Sequence, residues 1–116
     1  MDAAALAQTY YDAIDDGDYD ALREALAPDF QHVRPDRTLD GRDAFVAFMR
    51  DDRPRTDTSH VVDAVYEGAD GVAARGRLLG PEGELFAFVD VFETADGAIA
   101  AVRTYASDVD ATATTD

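Results

Sequence analysis

The sequence predicts an α+β fold, with helices at the front of the chain and an antiparallel sheet behind them. Three observations carry that expectation. Apolar residues up to about position 50 recur largely at helical spacing, and from Ser59 the period drops to two. Glycine-rich turns then cut the second half into short runs, Gly68-Ala-Asp-Gly71 and Gly80-Pro-Glu-Gly83 among them. The last two runs flank Asp96-Gly97, a dipeptide that strongly signals a two-residue hairpin.

Taken in order, residues 3–16 read as an amphipathic helix with Leu6, Tyr10, Ala13 and Ile14 on one stripe. Tyr11 falls about 100° from Tyr10 on that helix. Gly17 stops it and Asp18 can cap a second helix, from about Tyr19 to Ala27, which Pro28 ends. Phe30 to Arg34 alternates as a short strand closed by Pro35, and a polar loop leads to Asp40-Gly41. A third helix is expected over about Arg42–Arg50, with Phe45, Phe48 and Met49 on one face and Asp40/Asp43 as a weak capping box. The segment 51–58, with Pro54, reads as loop. Strands follow at about 59–67, 71–79, 84–93 and 98–106, and turns this short make them an antiparallel meander. The reading gives a single domain over 1–107 and a flexible acidic tail over 108–116.

Composition narrows the function classes. At 47% hydrophobic residues the chain can build a core despite its charge. It has no cysteine, so thiolate ligands and thiol nucleophiles are excluded. Acidic residues number 25 against 10 arginines and no lysine, a net charge of −15. That field repels nucleic-acid backbones and anionic membranes, so neither is expected as a partner. Such a balance suits a cytoplasm of molar salt, where the Debye length is only ~3 Å. A cytoplasmic location is expected, since no apolar run approaches a membrane span and the N-terminus lacks a basic-then-apolar leader. No metal-ligand spacing, nucleophile elbow, phosphate loop or dinucleotide fingerprint occurs, so no metal or cofactor is expected. Metal-free acid/base chemistry or plain binding remains.

One anomaly points to a site. Phe86, Phe88, Asp90 and Phe92 share a strand face, and a carboxylate among three phenylalanines needs a reason. Desolvation there would raise the pKa of Asp90 toward values useful to a general acid or base. Pairing with an arginine, Arg34 first, would instead lower it and make Asp90 an anchor. His32 shares parity with Phe30 and Arg34 and could serve as a general base near neutral pH, or be a packed histidine. Tyr10 is either core or a hydroxyl that meets Asp90 or a ligand oxygen. His60 is read as structural, at most lining a rim. Six arginines fall between 34 and 55, but interleaved aspartates make that segment nearly neutral.

Three stretches carry a family resemblance: Tyr10-Tyr-Asp-Ala-Ile-Asp-Asp-Gly17-Asp-Tyr-Asp-Ala-Leu22, Asp40-Gly41-Arg42-Asp-Ala, and Phe88-Val-Asp90-Val-Phe-Glu-Thr-Ala-Asp-Gly97-Ala-Ile99. Together with the element order they resemble the nuclear transport factor 2-like superfamily, in its SnoaL-like and ketosteroid-isomerase-like branch. The resemblance implies a cone: a curved antiparallel sheet wrapped around three helices, with an interior pocket for a small apolar molecule. It implies a cofactor-independent isomerase, cyclase or hydratase-type catalyst, or a non-catalytic module of the same fold. Tyr10 stands where the isomerases hold an oxyanion-hole tyrosine and Asp90 where they hold a protonated aspartic acid. Arg34 stands in the place of their general base, and a guanidinium cannot take a proton; it would bind a carboxylate or enolate. Phe30, Phe48, Phe88, Phe92 and Val102 are expected to join Arg34 along the pocket. The family's strand parity puts Arg103 and Tyr105 on the convex face, in the interface of a homodimer.

Overall fold

The computed structural model describes residues 2–53 and 55–107. Pro54 and the predicted tail over 108–116 lie outside the described residues. Helix α1 (Ala3–Asp16) starts at Asp2, whose carboxylate accepts the Ala5 N–H at 2.8 Å. It ends at Gly17 in the left-handed region (φ 69°), where the Gly17 and Asp18 N–H groups reach the Ile14 and Ala13 carbonyls. Asp18 then caps α2 (Tyr19–Ala25) through the Ala21 N–H.

Helix α2 is shorter than its apolar spacing predicts. Leu26 is already extended and begins β1 (Leu26–Val33), with Ala27 and Pro28 inside the strand. Pro28 disfavours a helical Ala27, and the turn at Leu26 buries that side chain. The strand tolerates the proline because its register against β6 slips between Leu26 and Gln31, where Pro28 has no ladder hydrogen bond to donate. The expected polar loop contains a short strand, β2 (Thr38–Asp40), paired antiparallel with β1 after a tight Arg34–Arg37 turn. Its three residues are too few to show a period. Helix α3 (Arg42–Ala47) opens at Gly41 without a side-chain cap, so the Asp40/Asp43 capping box does not form. Asp43 turns instead to Arg23 of α2 at 3.1 Å. A wider π turn, Phe48–Asp52, continues α3 past the expected end.

The meander forms as the sequence predicts: β3 (Ser59–Glu67), β4 (Gly71–Gly80), β5 (Gly83–Ala95) and β6 (Ala98–Ala106), all antiparallel in turn. Asp96 and Gly97 both have positive φ, 55° and 79°, as a two-residue hairpin turn requires. The six strands run β2-β1-β6-β5-β4-β3, and β1 joins β6 in parallel, so the sheet is mixed where an antiparallel one was expected. The parallel join is possible because the whole meander intervenes between the two strands. Register slips at Val62/Ala64, Leu78/Leu79 and Glu93/Thr94 bend the sheet around the helices. The core between the layers includes Leu6, Tyr10, Tyr11, Ile14, Phe30, Phe45, Phe92 and Val102. Gly76 is needed in the curved region: a Cβ there would run into the Val61 carbonyl oxygen and the Phe88 ring.

Candidate functional site

Asp90 is 6% exposed and lies on β5, on the face that looks into the cone. Its cross-strand partner on β6 is Thr104, whose hydroxyl donates to Asp90 Oδ1 at 2.6 Å. The Tyr11 hydroxyl donates to Oδ2 at 2.7 Å. His32 Nε2 sits 2.8 Å from the same Thr104 oxygen. A hydroxyl has one proton, and Thr104 directs it to Asp90, so its oxygen receives the Nε2–H of His32. His32 is then the Nε2-protonated tautomer. Its Nδ1 is buried with no hydrogen-bond partner among the described residues.

The electrostatics follow from burial. Desolvation pushes the Asp90 carboxyl up from its ordinary range, while the hydrogen bonds from Thr104 and Tyr11 and the fields of His60 and Arg34 pull it back. Burial, then the charge of Arg34, lowers the His32 pKa to about 4, with Asp36 opposing. His32 is therefore neutral near pH 7 and a weaker base than the sequence reading assumed. Burial and the nearby Asp90 carboxylate raise Tyr11, and the same two causes raise Tyr10 against Arg34, so both phenols stay protonated.

Beside this network the sheet and helices leave a cavity of about 410 Å³. Apolar walls come from Phe48, Leu78, Phe86 and Phe88, and polar groups from His32, Arg34, Asp90 and Thr104. Of the expected residues, Asp90, His32, Tyr10, Arg34, Phe48 and Phe88 line it. Phe30, Phe92 and Val102 do not. They are at most 1% exposed and form the core beside it, Phe30 against Phe45 and Phe92 against Tyr10 and Tyr11.

Two expectations about partners change. Tyr10 is not the phenol that holds Asp90; its neighbour Tyr11 is. Tyr10 lies nearly parallel to Phe45, with 6.1 Å between ring centroids, and meets Phe92 edge-on. The sheet wraps a broad arc of α1, so both tyrosines are buried although they are 100° apart. Arg34 is not the ion-pair partner of Asp90 either. Its Nε lies 3.5 Å from Asp36, across Pro35, and is buried without a hydrogen bond among the described residues. His60 sits on the cavity wall, clamped by Asp15 at 2.6 Å and packed on Tyr11 and Phe88.

Thr104 is not among the residues singled out from the sequence, although the parity that puts Arg103 and Tyr105 outward puts Thr104 inward; a bulge sets its register. Counting back from the two-residue turn sets Arg103 opposite Asp90. The register slips at Glu93/Thr94, leaving Ala100 as an extra residue on β6, and Thr104 moves into that place. The same slip lets Ile99 and Val102 both face the core, so Ile99 does not share a face with Arg103 and Tyr105. Those two are exposed on the outer side, with Arg103 3.7 Å from Glu93.

A family model described as SnoaL-like domain matches residues 7–102. Among solved structures, an NTF2-like protein of unknown function from Cytophaga hutchinsonii superposes with a TM-score of 0.80 at 15% identity, covering 92% of this chain and 91% of its own. A candidate ketosteroid isomerase from Kribbella flavida superposes with a TM-score of 0.80 at 20% identity, over 90% of this chain and 76% of that one. A candidate SnoaL-like polyketide cyclase from Jannaschia sp. gives 0.77 at 20% identity, over 90% and 85%. No curated protein sequence matches the chain. At these identities the likeness establishes the fold: three helices against a curved six-stranded mixed sheet.

Proposed function

The chain belongs to the SnoaL-like domain family, and on that premise we propose that its cavity takes up a small, mostly apolar molecule and moves a proton on it. The substrate would carry a carbonyl or hydroxyl oxygen, and the reaction would be an isomerisation, cyclisation or hydration. The observation that carries this reading is Asp90, a buried carboxylate on an apolar cavity wall, held by two short hydrogen bonds. Raised by burial, Asp90 can carry a proton to a substrate oxygen or take one from a neighbouring carbon. Tyr11 and Thr104 position it. Tyr10, a neutral phenol on the wall, can donate to a developing oxyanion. His32 donates its Nε2–H to Thr104 and so keeps the Thr104 hydroxyl turned toward Asp90.

The second reading, a binding module, draws on the same hydrogen bonds: both Asp90 oxygens are already engaged inside the protein. Proton NMR of apolar ketones in deuterated buffer separates the two. Loss of the α-proton signal with the protein, abolished in Asp90→Asn, supports catalysis. Line broadening of the ketone without exchange supports binding alone. The exposed outer face around Tyr105 and Arg103 fits the homodimer expected of the fold, with the cavities on the far side of each sheet.

A further inference from the structure

We propose that the ligand of this cavity carries an anionic oxygen group, most simply a carboxylate, and that Arg53 with Arg34 receives it. The inference rests on reading the cavity as a ligand site and adds the chemical class of what enters it. Of the ten arginines, eight lie within 4.0 Å of a carboxylate. Among the described residues only Arg53 and Arg75 do not. Arg75 is exposed on the surface, away from the cavity lining.

Arg53 is different. It lines the cavity, and among the described residues its Nε is buried without a hydrogen-bond partner. Its terminal nitrogen meets two neutral oxygens, the Ile14 carbonyl and the Tyr19 hydroxyl, both at 3.4 Å. Contacts of that length are weak. Asp51 and Asp52 precede it directly, yet neither pairs with it: Asp51 grips Arg50 instead. In a chain with 25 acidic residues, a half-buried guanidinium that faces a cavity and has no carboxylate within 4.0 Å among the described residues is suited to receive an anion.

The surrounding charges agree. Arg34, Arg53 and Arg55 line the cavity against Asp36 and Asp90. Arg55 is satisfied by a two-pronged grip on Asp57. Asp36 is shared between Arg34 and Arg37 at 3.5 and 3.8 Å. Arg34 Nε faces Asp36 at 3.5 Å without forming a hydrogen bond among the described residues, so its guanidinium is only loosely engaged. A carboxylate between the two guanidiniums would leave the apolar body of the ligand along Phe48, Phe86 and Phe88, toward Asp90.

The test is isothermal titration in molar KCl with arylalkanoates from phenylacetate to naphthylbutanoate, each beside its primary amide and its methyl ketone. The expected result is a carboxylate bound about tenfold or more tighter than its amide, the scale of a charge-assisted hydrogen bond. Arg53→Gln brings that ratio near one, whereas Arg75→Gln leaves it intact. Equal binding of acid and amide by the wild type overturns the inference, as does a preference that survives Arg53→Gln. Ketones bound with no carboxylate bound overturn it while the apolar-ligand reading stands. If no member of the three series binds, both fail together. The wild-type comparison decides the matter even if a variant folds poorly.

Discussion

The two faces of the β5–β6 hairpin are built from the same two strands and treat charge in opposite ways. On the inner face Asp90 is 6% exposed and fixed by hydrogen bonds of 2.6 and 2.7 Å from two different elements. On the outer face Arg103 and Glu93 are half exposed, 3.7 Å apart, and screened by solvent. A charge that is buried must be met in three dimensions, so the inner face draws in helix α1 and strand β1. A charge left in water asks nothing of its neighbours. Substitutions should therefore cost much on one face and little on the other.

The largest effect is expected from the inner apolar floor. Phe92→Ala removes a ring 1% exposed beneath Tyr10 and Tyr11. We expect a loss of about 3–5 kcal/mol in urea unfolding, the range for emptying a buried phenylalanine site. A loss under about 1 kcal/mol would mean that the cavity above already lets this region collapse.

The second test uses pH. His32 is lowered to about 4 in the folded protein against an ordinary 6.5. Between those values the unfolded chain binds a proton that the folded one refuses, so stability falls as pH drops from 6.5 to 4. The full window is worth about 3 kcal/mol at 1.36 kcal/mol per pH unit. Asp90 contributes with the opposite sign. Its raised folded pKa makes stability fall as pH rises from 3.8 through that higher value. His32→Gln keeps a side-chain donor for Thr104 and should flatten the acid slope. An unchanged slope would place the titration elsewhere.

Much of this contrast is legible in the sequence and part of it is not. The Asp96-Gly97 turn and the period of two give the hairpin, the inward parity of Asp90, and its neighbours Phe86 and Phe88. The bulge at Ala100 is silent because alanine fits either register, and that bulge decides that Thr104, not Arg103, faces Asp90. Tyr11 is hidden for another reason: helical spacing ranks positions on one stripe, while a wrapped sheet buries a wide arc. The pairing of Arg34 with Asp36, and the isolation of Arg53, depend on a turn and a π turn whose geometry the residue pattern does not encode.

Thr104→Val sharpens the inner side of the comparison. Valine keeps the shape but removes the hydroxyl, leaving Asp90 Oδ1 and the His32 Nε2–H without a partner. A cost of about 1–3 kcal/mol is expected, the price of an unsatisfied buried polar group. Thr104→Ser restores the hydroxyl and should recover most of it. In an NMR titration the His32 signals should respond to Asp90→Asn in the wild type and cease to do so in Thr104→Val. A coupling that persists without the hydroxyl would show that His32 senses Asp90 through space alone.

The smallest effect belongs to the outer face. Tyr105 is 58% exposed, and Arg103 makes only the loose pair with Glu93. Tyr105→Ser and Arg103→Ala should each change the unfolding free energy of the isolated chain by no more than about 0.5 kcal/mol. The melting temperature should tell the rest. If this face joins two copies, the wild-type melting temperature rises with protein concentration, and Tyr105→Ser removes that dependence without lowering the dilute value. A wild-type melting temperature that ignores concentration would make the outer face a solvated surface. The inner face would then be the only one that this hairpin uses.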